Sequence, residues 1–239
     1  PDLTVEENIR LSFDLAGPTF RDELYKAYKA TRVKADQSLY DQIPLVHEAV
    51  RAFDIPIFEA QGFEADDVIG TIAKKTDADT KNIIVTGDFD AAQLVDSRTS
   101  IYLLRKGIAD TVMMDAKEVQ TKYGLAPEQL VDYKSLRGDP SDNIPGVKGI
   151  GEKTAVELLQ TYKSLDSVLA AADNERAALT PSVRKKLQEG KKDAALSRTL
   201  ATIRTDVPLA FRMNDAALRT TDWHKVAVML QRFEFTSLL

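Results

Sequence analysis

Two aspartates, Asp139 and Asp142, lie directly before a glycine-rich turn, and both the aspartates and the turn are suited to bind ions. Carboxylates three residues apart, on a loop or at a helix end, are oxygen ligands suited to a hard divalent cation. The turn, residues 146–151, leads into a helix predicted to begin near Glu152. Backbone N–H groups in such a turn can approach an anion, and the helix dipole favours the same charge. A metal site beside a grip on phosphate indicates an enzyme that cuts nucleic acid.

Other acids follow predicted strands at the points where those strands end. They are Asp14 after the first strand, Glu64, Asp66 and Asp67 after the second, and Asp88 and Asp90 after the third. Active sites of open α/β sheets lie outside the carboxyl ends of the strands, so these acids are expected in one pocket with Asp139 and Asp142. Such a pocket needs divalent cations to offset repulsion, as in two-metal phosphodiester hydrolysis. Taken singly, each acid is equally explained as a helix-start or turn residue.

A basic segment with aromatic residues occupies residues 20–34. It contains Arg21, Lys26, Lys29, Arg32 and Lys34, together with Tyr25 and Tyr28. This composition predicts a mobile arch that grips single-stranded nucleic acid, with cations on phosphates and rings stacked on bases. Lys29 and Arg32, three residues apart, can share a helix face and stabilise charge on the scissile phosphate. A solvated loop is the alternative interpretation.

A second basic cluster lies in the C-terminal half. Its members are Arg184, Lys185, Lys186, Lys191 and Lys192, joined by Lys148 and Lys153 near the glycine turn. They predict a basic strip along duplex DNA, against the alternative of an exposed helix face. The turn itself, with Gly146, Gly149 and Gly151, has the helix–hairpin–helix form of sequence-independent phosphate binding. Its carbonyls are also candidates to hold a monovalent cation such as K⁺.

The composition limits the metal chemistry and the location of the protein. The 239 residues include no cysteine and only two histidines, so oxygen ligands and Mg²⁺ or Mn²⁺ are expected rather than zinc. The net charge of −5 argues weakly against nucleic acid, unless the acids are gathered in one pocket. No apolar run reaches membrane-spanning length and no signal peptide is visible, so a cytoplasmic protein without a membrane partner is expected.

The hydrophobic pattern divides the chain into an α/β part and a helical part. Strands are predicted near residues 11–14 and at 55–58, 82–86 and 100–104, and helices at 44–53, 65–75, 152–162, 164–172, 181–189, 193–203 and 223–232. The early alternation of strand and helix indicates a mainly parallel sheet. We therefore predict an α/β core at 1–135 with its arch at 18–42. A helical DNA-binding lobe follows at 136–239, with the helix–hairpin–helix at 138–160.

Several motifs together resemble a known family. The matching segments are 13–21, 28–32, 63–69, 86–95 and 138–155, with similarity running to Leu239. In this order they resemble the 5′ nuclease domain of bacterial DNA polymerase I, within the flap-endonuclease and 5′→3′ exonuclease superfamily. The resemblance implies a PIN-like core, a helical arch and a helix–three-turn–helix element.

The resemblance also implies an activity and roles for residues. It implies metal-dependent cleavage of 5′ flaps, nicks and 5′ ends of DNA, and of RNA primers, in replication and repair, by a monomer associated with a DNA polymerase and the bacterial nucleoid. Asp14, Glu64, Asp66, Asp67 and Asp88 would serve one metal region, and Asp90, Asp139 and Asp142 the second. Lys29 and Arg32 match residues that contact the scissile phosphate, and Arg21 matches a basic position nearby.

The chain departs from the family pattern at three places. Members of the family begin earlier, with a strand that carries an aspartate in an Asp-Gly motif. Phe89 stands where the family commonly has lysine, and Ala91 and Ala92 replace bulkier apolar residues. No polymerase domain follows Leu239, so we expect either a stand-alone nuclease or a piece of a longer protein.

The alternative function is a non-catalytic module that binds DNA flaps and junctions. A PIN-type ribonuclease leaves the helix–hairpin–helix unexplained.

Overall fold

A computed structural model describes residues 9–107, 109–212 and 221–239. They form two compact units: a first unit of described residues 9–19, 33–77, 205–212 and 221–239, and a second unit of 20–32, 78–107 and 109–204. Each unit combines helices with a small sheet, which confirms the predicted α/β class. The predicted domain boundary near residue 135 stays a prediction, since the units interleave along the chain.

The first unit contains two short parallel strands and three helices. These are β1 (Leu11–Ser12), α2 (Gln37–Ala52), β2 (Ile57–Phe58), α3 (Ala65–Lys75) and α10 (Trp223–Arg232). Strand β1 pairs with β2 in the register Leu11 to Ile57. Helix α3 has acids in its first turn and lysines in its last, as the helix dipole favours, and it buries Val68 and Ile72.

Helix α2 begins earlier than predicted. Its first residue is Gln37, not Pro44, and Pro44 lies inside the helix. The predicted start rested on the helical spacing of the apolar residues from Leu45 to Phe53. The Asp36 side chain instead caps the helix by accepting a hydrogen bond from the Ser38 N–H at 2.9 Å, which extends the helix upstream of the proline.

The second unit has a three-stranded sheet and the remaining helices. The strands are β3 (Asn82–Thr86), β4 (Thr99–Leu104) and β5 (Thr111–Met114). Strand β4 is parallel to β3 and antiparallel to β5. The row Ile84, Ile101 and Met114 is at most 6 % exposed and forms the buried side of this sheet.

The described residues of the second unit form seven α-helices, five of which pack around one apolar core. They are α1 (Phe20–Leu24), α4 (Ala116–Tyr123), α5 (Leu130–Arg137), α6 (Glu152–Tyr162), α7 (Leu165–Asp173), α8 (Pro181–Glu189) and α9 (Lys191–Ala201), and the five from α5 to α9 line the core. Leu136, Leu159, Val168 and Leu187 are fully buried in this core. The predicted helices at 152–162, 181–189 and 223–232 are confirmed, and α7 and α9 differ from their predictions by one or two residues at their ends.

Within the described ranges, none of the helices combines the length and the apolar character that crossing a membrane requires.

Candidate functional site

The loop between α5 and α6 holds Asp139 and Asp142 in fixed positions. Asp139 and Ile144 form a short antiparallel bridge, with N–H···O distances of 2.9 and 2.8 Å in its two directions. The backbones at the two ends of the loop nearly touch: a Cβ on Gly146 would lie 2.2 Å from the Gly138 nitrogen. Because both glycines have positive φ, the loop needs glycine at each end.

Lys134 joins two of the predicted metal-ligand carboxylates. Its ammonium, at the end of α5, pairs with Asp90 Oδ1 and lies 2.5 Å from Asp139 Oδ2. Asp90 belongs to a 3-10 turn, Phe89–Leu94, which follows β3. Two carboxylates from separate elements thus share one cation. Sequence reasoning missed Lys134, because helical position alone does not distinguish it from other lysines.

Burial and charge act differently on the acids of this cluster. Burial raises the pKa of Asp90 above its ordinary value, although Lys134 opposes the effect. Burial alone would also raise the pKa of Asp139, but hydrogen bonds from Lys134 and Ser141 outweigh it and lower the pKa to about 2. The carboxylates in turn raise the pKa of Lys134 against the effect of its burial. Asp139 is therefore held as an anion with oxygen lone pairs directed at a cation.

Asp142 is engaged by the basic segment. Arg32 Nε donates to Asp142 Oδ1 at 3.0 Å, a second guanidinium nitrogen of Arg32 pairs with the same oxygen, and Lys29 Nζ lies 3.9 Å from Oδ2. The Lys29 backbone N–H also donates to the Asp142 carbonyl at 2.9 Å. The structure thus brings two predicted phosphate-binding cations onto a predicted metal ligand.

The other predicted residues of the basic segment differ in exposure. Arg21 is 2 % exposed and donates to the Leu200 and Thr202 carbonyls, each at 2.8 Å, so it caps the end of α9. Tyr28 is 5 % exposed and packs in the interior, while Tyr25 is half-buried against the same cluster. Lys34 is exposed and belongs to the first unit, near the start of its segment 33–77. Arg21 and Tyr28 therefore hold the basic segment in place and do not present their side chains to solvent.

The carboxylates of the first unit gather around the start of α3. Asp14 Oδ1 accepts a hydrogen bond from the Ala65 N–H at 2.6 Å, and Asp67 Oδ2 accepts one from the Glu64 N–H at 3.1 Å. Asp67 is fully buried and Asp66 is half-buried. Asp88, in the second unit, is exposed and accepts from the Asp90 N–H at 2.8 Å. All eight predicted acids lie at helix starts, turns or loops.

The glycine turn precedes α6 as predicted and is exposed at only part of its length, because Gly146, Val147 and Ile150 are buried and the Gly146 N–H donates to Ser197 Oγ. Gly149, Gly151, Lys148 and Lys153 are exposed, and Gly151 is the residue before the helix begins. Lys186, on α8, donates to the Gly149 carbonyl at 3.0 Å, so a lysine ammonium occupies one carbonyl of the turn that was predicted to hold a K⁺ ion. Lys185 is exposed and lies 3.8 Å from Glu189. The exposed lysines therefore place positive charge beside the turn.

The carboxylate oxygens are ligands of the type that a hard divalent cation prefers, although the residues described by the structure form no complete metal cluster. Among the described residues, no group of three or more histidine, cysteine or acidic side chains is arranged to hold a metal ion. Asp90 and Asp139 nevertheless converge on one positive charge, the Lys134 ammonium, and their oxygens are ligands that Mg²⁺ and Mn²⁺ prefer.

Two family models together match almost the whole chain. Residues 3–124 match the N-terminal resolvase-like domain of 5′-3′ exonucleases, and residues 125–224 match the C-terminal SAM fold of the same enzymes. These matches, with the α/β and helical parts described above, define a nuclease. The chain belongs to the 5′-3′ exonuclease family, which confirms the predicted resemblance.

Curated relatives are bacterial DNA polymerases I. The enzyme of Bacillus caldotenax is 39 % identical over 96 % of this chain and 26 % of its own length. That of Chloroflexus aurantiacus is 42 % identical over 94 % of this chain and 24 % of its own length. The chain therefore spans about a quarter of the relatives it matches.

Solved structures share the fold at low sequence identity. T5 5′-exonuclease, described with bound divalent zinc, has a TM-score of 0.65 at 19 % identity and covers 92 % of this chain and 82 % of its own. The catalytic core of Rad2 in complex with a DNA substrate has a TM-score of 0.58 at 18 % identity, covering 94 % of this chain and 74 % of its own. Human GEN1, bound to Holliday junction DNA, has a TM-score of 0.61 at 16 % identity, covering 94 % and 56 % respectively.

Proposed function

We propose that this chain is a divalent-metal-dependent, structure-specific 5′ nuclease that cleaves 5′ flaps and 5′ ends of DNA, and RNA primers paired to DNA. The observation that carries the proposal is the loop 138–146, which fixes Asp139 and Asp142 directly before the exposed turn at the start of α6. Carboxylates for metal ions and backbone donors for phosphate are thus built into one continuous segment.

The proposed metal ligands are the eight carboxylates predicted from the sequence. They are Asp14, Glu64, Asp66, Asp67, Asp88, Asp90, Asp139 and Asp142. Bound Mg²⁺ or Mn²⁺ would supply an activated water and neutralise charge on the attacking and leaving oxygens. The divalent ions described in T5 5′-exonuclease support this proposal.

The proposed roles of the protein side chains follow from their charge and place. Lys29 and Arg32 move from Asp142 to the scissile phosphate and stabilise the charge that develops there. Lys134 balances Asp90 and Asp139 when the metal is absent. Arg21 and Tyr28 position the basic segment, and Tyr25 and Lys34 flank the path of a single strand.

The DNA duplex is proposed to lie along the glycine turn and α8. Gly146, Gly149 and Gly151 shape the turn, while Lys148, Lys153, Lys185 and Lys186 supply cations to phosphates. Contacts of this kind bind DNA without reading its sequence. The DNA complexes of Rad2 and GEN1 support DNA as the partner. We further propose that the protein acts as a monomer, with a DNA polymerase linked to it or acting beside it.

Neutralising two acids, one in each unit, tests this function. We expect Asp139→Asn and Asp66→Asn each to lower cleavage of a 5′-flap substrate to below about one hundredth of the parent rate, because a metal ligand is lost. Binding of the same DNA, measured by anisotropy with EDTA present, should persist. Asp166→Asn is the matched control, since Asp166 is an 80 % exposed acid on α7 that pairs with Arg198.

Two results would contradict the assignment. If both variants cut at the parent rate, these carboxylates are not metal ligands. If the parent binds flaps tightly and never cuts them with Mg²⁺ or Mn²⁺, the chain is a binding module for flaps and junctions.

A further inference from the structure

An aromatic side chain lies between two of the proposed metal ligands. Phe89 is flanked by Asp88 and Asp90 in the 3-10 turn after β3. Its ring stacks on Tyr123, with 4.3 Å between the ring centroids and 27° between the planes. Both residues are half-buried, so part of the stacked pair is open to solvent. A large apolar group in an acidic turn has no role in the chemistry proposed above.

A lysine ammonium lies over both rings. Lys122 Nζ is 5.6 Å from the Phe89 centroid and 5.2 Å from the Tyr123 centroid, within the range of a cation–π interaction. Lys122 is exposed, and within the described ranges it forms no ion pair with a carboxylate. Lys29 and Lys134 are different, because their ammonium groups face acids. The Lys122 charge is therefore available to an anion from solution.

Fixed elements hold the two rings. Tyr123 is the last residue of α4, which ends at Gly124 in the left-handed conformation, and the Gly124 carbonyl accepts a hydrogen bond from Gln160 at 3.0 Å. The turn that carries Phe89 is anchored by Gln93, which donates to the Ala201 carbonyl at 3.0 Å. A ring pair held in this way loses little side-chain entropy when a flat ligand stacks on it.

The chemistry of the cluster matches a nucleotide. A base has a π-face that stacks on aromatic side chains whatever its sequence, and the phosphate beside it pairs with an ammonium. Because the Lys122 side chain is long and exposed, its ammonium can move off the ring face when a base stacks there and can then pair with the phosphate of that nucleotide. Ordinary packing explains why the turn is pinned to α4, but it does not require an unpaired cation above the rings.

We propose that Phe89, Tyr123 and Lys122 form a subsite for one unpaired nucleotide of the DNA substrate. The base stacks on the ring pair, and its phosphate pairs with Lys122. The subsite rests on the proposed nuclease function, because it assigns the nucleotide to a flap or frayed end beside Asp88 and Asp90. It favours substrates with an unpaired base over fully paired duplex.

The experiment measures binding with EDTA present, so that cleavage plays no part. Flap duplexes carrying 2-aminopurine at each unpaired position next to the junction report stacking as a loss of fluorescence. With the parent protein we expect the fluorescence of 2-aminopurine to be quenched at one position. Phe89→Leu keeps the apolar bulk without a ring, so it should abolish that quenching and weaken flap binding about fivefold or more. Phe89→Trp should retain both. Phe235→Leu, at a phenylalanine that is 50 % exposed in the first unit, is the control.

Two further variants keep the test independent of folding at position 89. Tyr123→Leu should reproduce the loss of quenching. Lys122→Met, at an exposed site, should reduce the slope of log affinity against log salt concentration for flap binding by the amount expected for about one phosphate contact. The melting temperature of the protein should stay unchanged.

The outcomes separate the subsite from the function. Unchanged quenching and unchanged flap affinity in Phe89→Leu would overturn the subsite while leaving the nuclease proposal intact. Equal weakening for flap and fully paired duplex would also overturn it, since packing and not base stacking would then be responsible. If the parent binds neither DNA, both proposals fail.

Discussion

At the scale of the residue, the buried acids of the loop pair with basic side chains. Asp142 is only 6 % exposed, yet it meets Arg32 Nε at 3.0 Å and Lys29 Nζ at 3.9 Å. In the proposed function the same carboxylate binds metal and the same cations bind phosphate. A metal ion must therefore compete with Arg32 for Asp142, and its binding frees Arg32 for the substrate.

This competition predicts opposite effects for one substitution. Arg32→Ala should bind Mn²⁺ about two- to fivefold more tightly, because a half-exposed ion pair that holds Asp142 is removed. It should also cut flaps about a hundredfold more slowly, because the scissile phosphate loses a cation. Calorimetric titration with Mn²⁺ and a single-turnover flap assay measure the two quantities. Arg105→Ala, which removes an arginine paired with Asp110 at 2.7 Å, should change neither.

An unchanged or weaker Mn²⁺ affinity in Arg32→Ala would show that Asp142 is not a metal ligand in competition with Arg32. A parent-like cleavage rate would show that Arg32 does not act on the phosphate.

Contacts between individual side chains could not be predicted from the sequence. The carboxylates and basic residues stand out by type and spacing, and Asp139 and Asp142 were found because they adjoin a glycine turn. The pairing of Arg32 with Asp142 joins residues 110 apart in the chain, and that of Lys134 with Asp90 joins residues 44 apart. No local pattern contains such pairs, because they depend on how the elements fold back on one another.

At the scale of the element, the loop between α5 and α6 depends on its two glycines. The chain reverses between them, and the Asp139–Ile144 bridge closes the reversal. The Gly146 N–H also donates to Ser197 Oγ at 2.9 Å, which ties the loop to α9. The positions of Asp139 and Asp142 therefore follow from a backbone crossing that has no space for a side chain.

Gly146→Ala should accordingly destabilise the protein by at least about 2 kcal/mol, because the new methyl group meets the Gly138 backbone and the residue has a positive φ. Urea unfolding measures the loss in the free energy of unfolding. Gly87→Ala is the matched control: its Cβ would meet nothing closer than the Leu104 carbonyl oxygen at 3.7 Å, so its stability should stay near that of the parent. Equal stability of the two variants would mean that the loop relaxes and does not fix its acids.

Elements with strong local signals were predicted well. Helix α3 has acids, an apolar face and lysines in order, and its predicted bounds of 65–75 are those observed. Strand β3, an apolar run rich in β-branched residues, was also predicted correctly. Strand β5 was missed, since its four residues are ordered by antiparallel pairing with β4 and not by a pattern of their own. Helix α4 was missed as well, since Val119 is its only buried residue.

At the scale of the whole molecule, net charge is a poor guide to the partner. The chain has 37 acidic and 32 basic residues, which by themselves disfavour DNA. Several of the acids are paired with basic side chains in the loops described above, while exposed lysines lie at the glycine turn and on α8. Membership of the 5′-3′ exonuclease family agrees with this division of charge.

The proposed function requires that this chain cuts DNA with divalent metal ions. The most direct measurement is a gel assay of a 5′-labelled flap duplex incubated with Mg²⁺, with Mn²⁺ or with EDTA. The proposed function predicts a product cut near the flap junction with either metal and no product with EDTA. Tight flap binding without any product under all three conditions would contradict it.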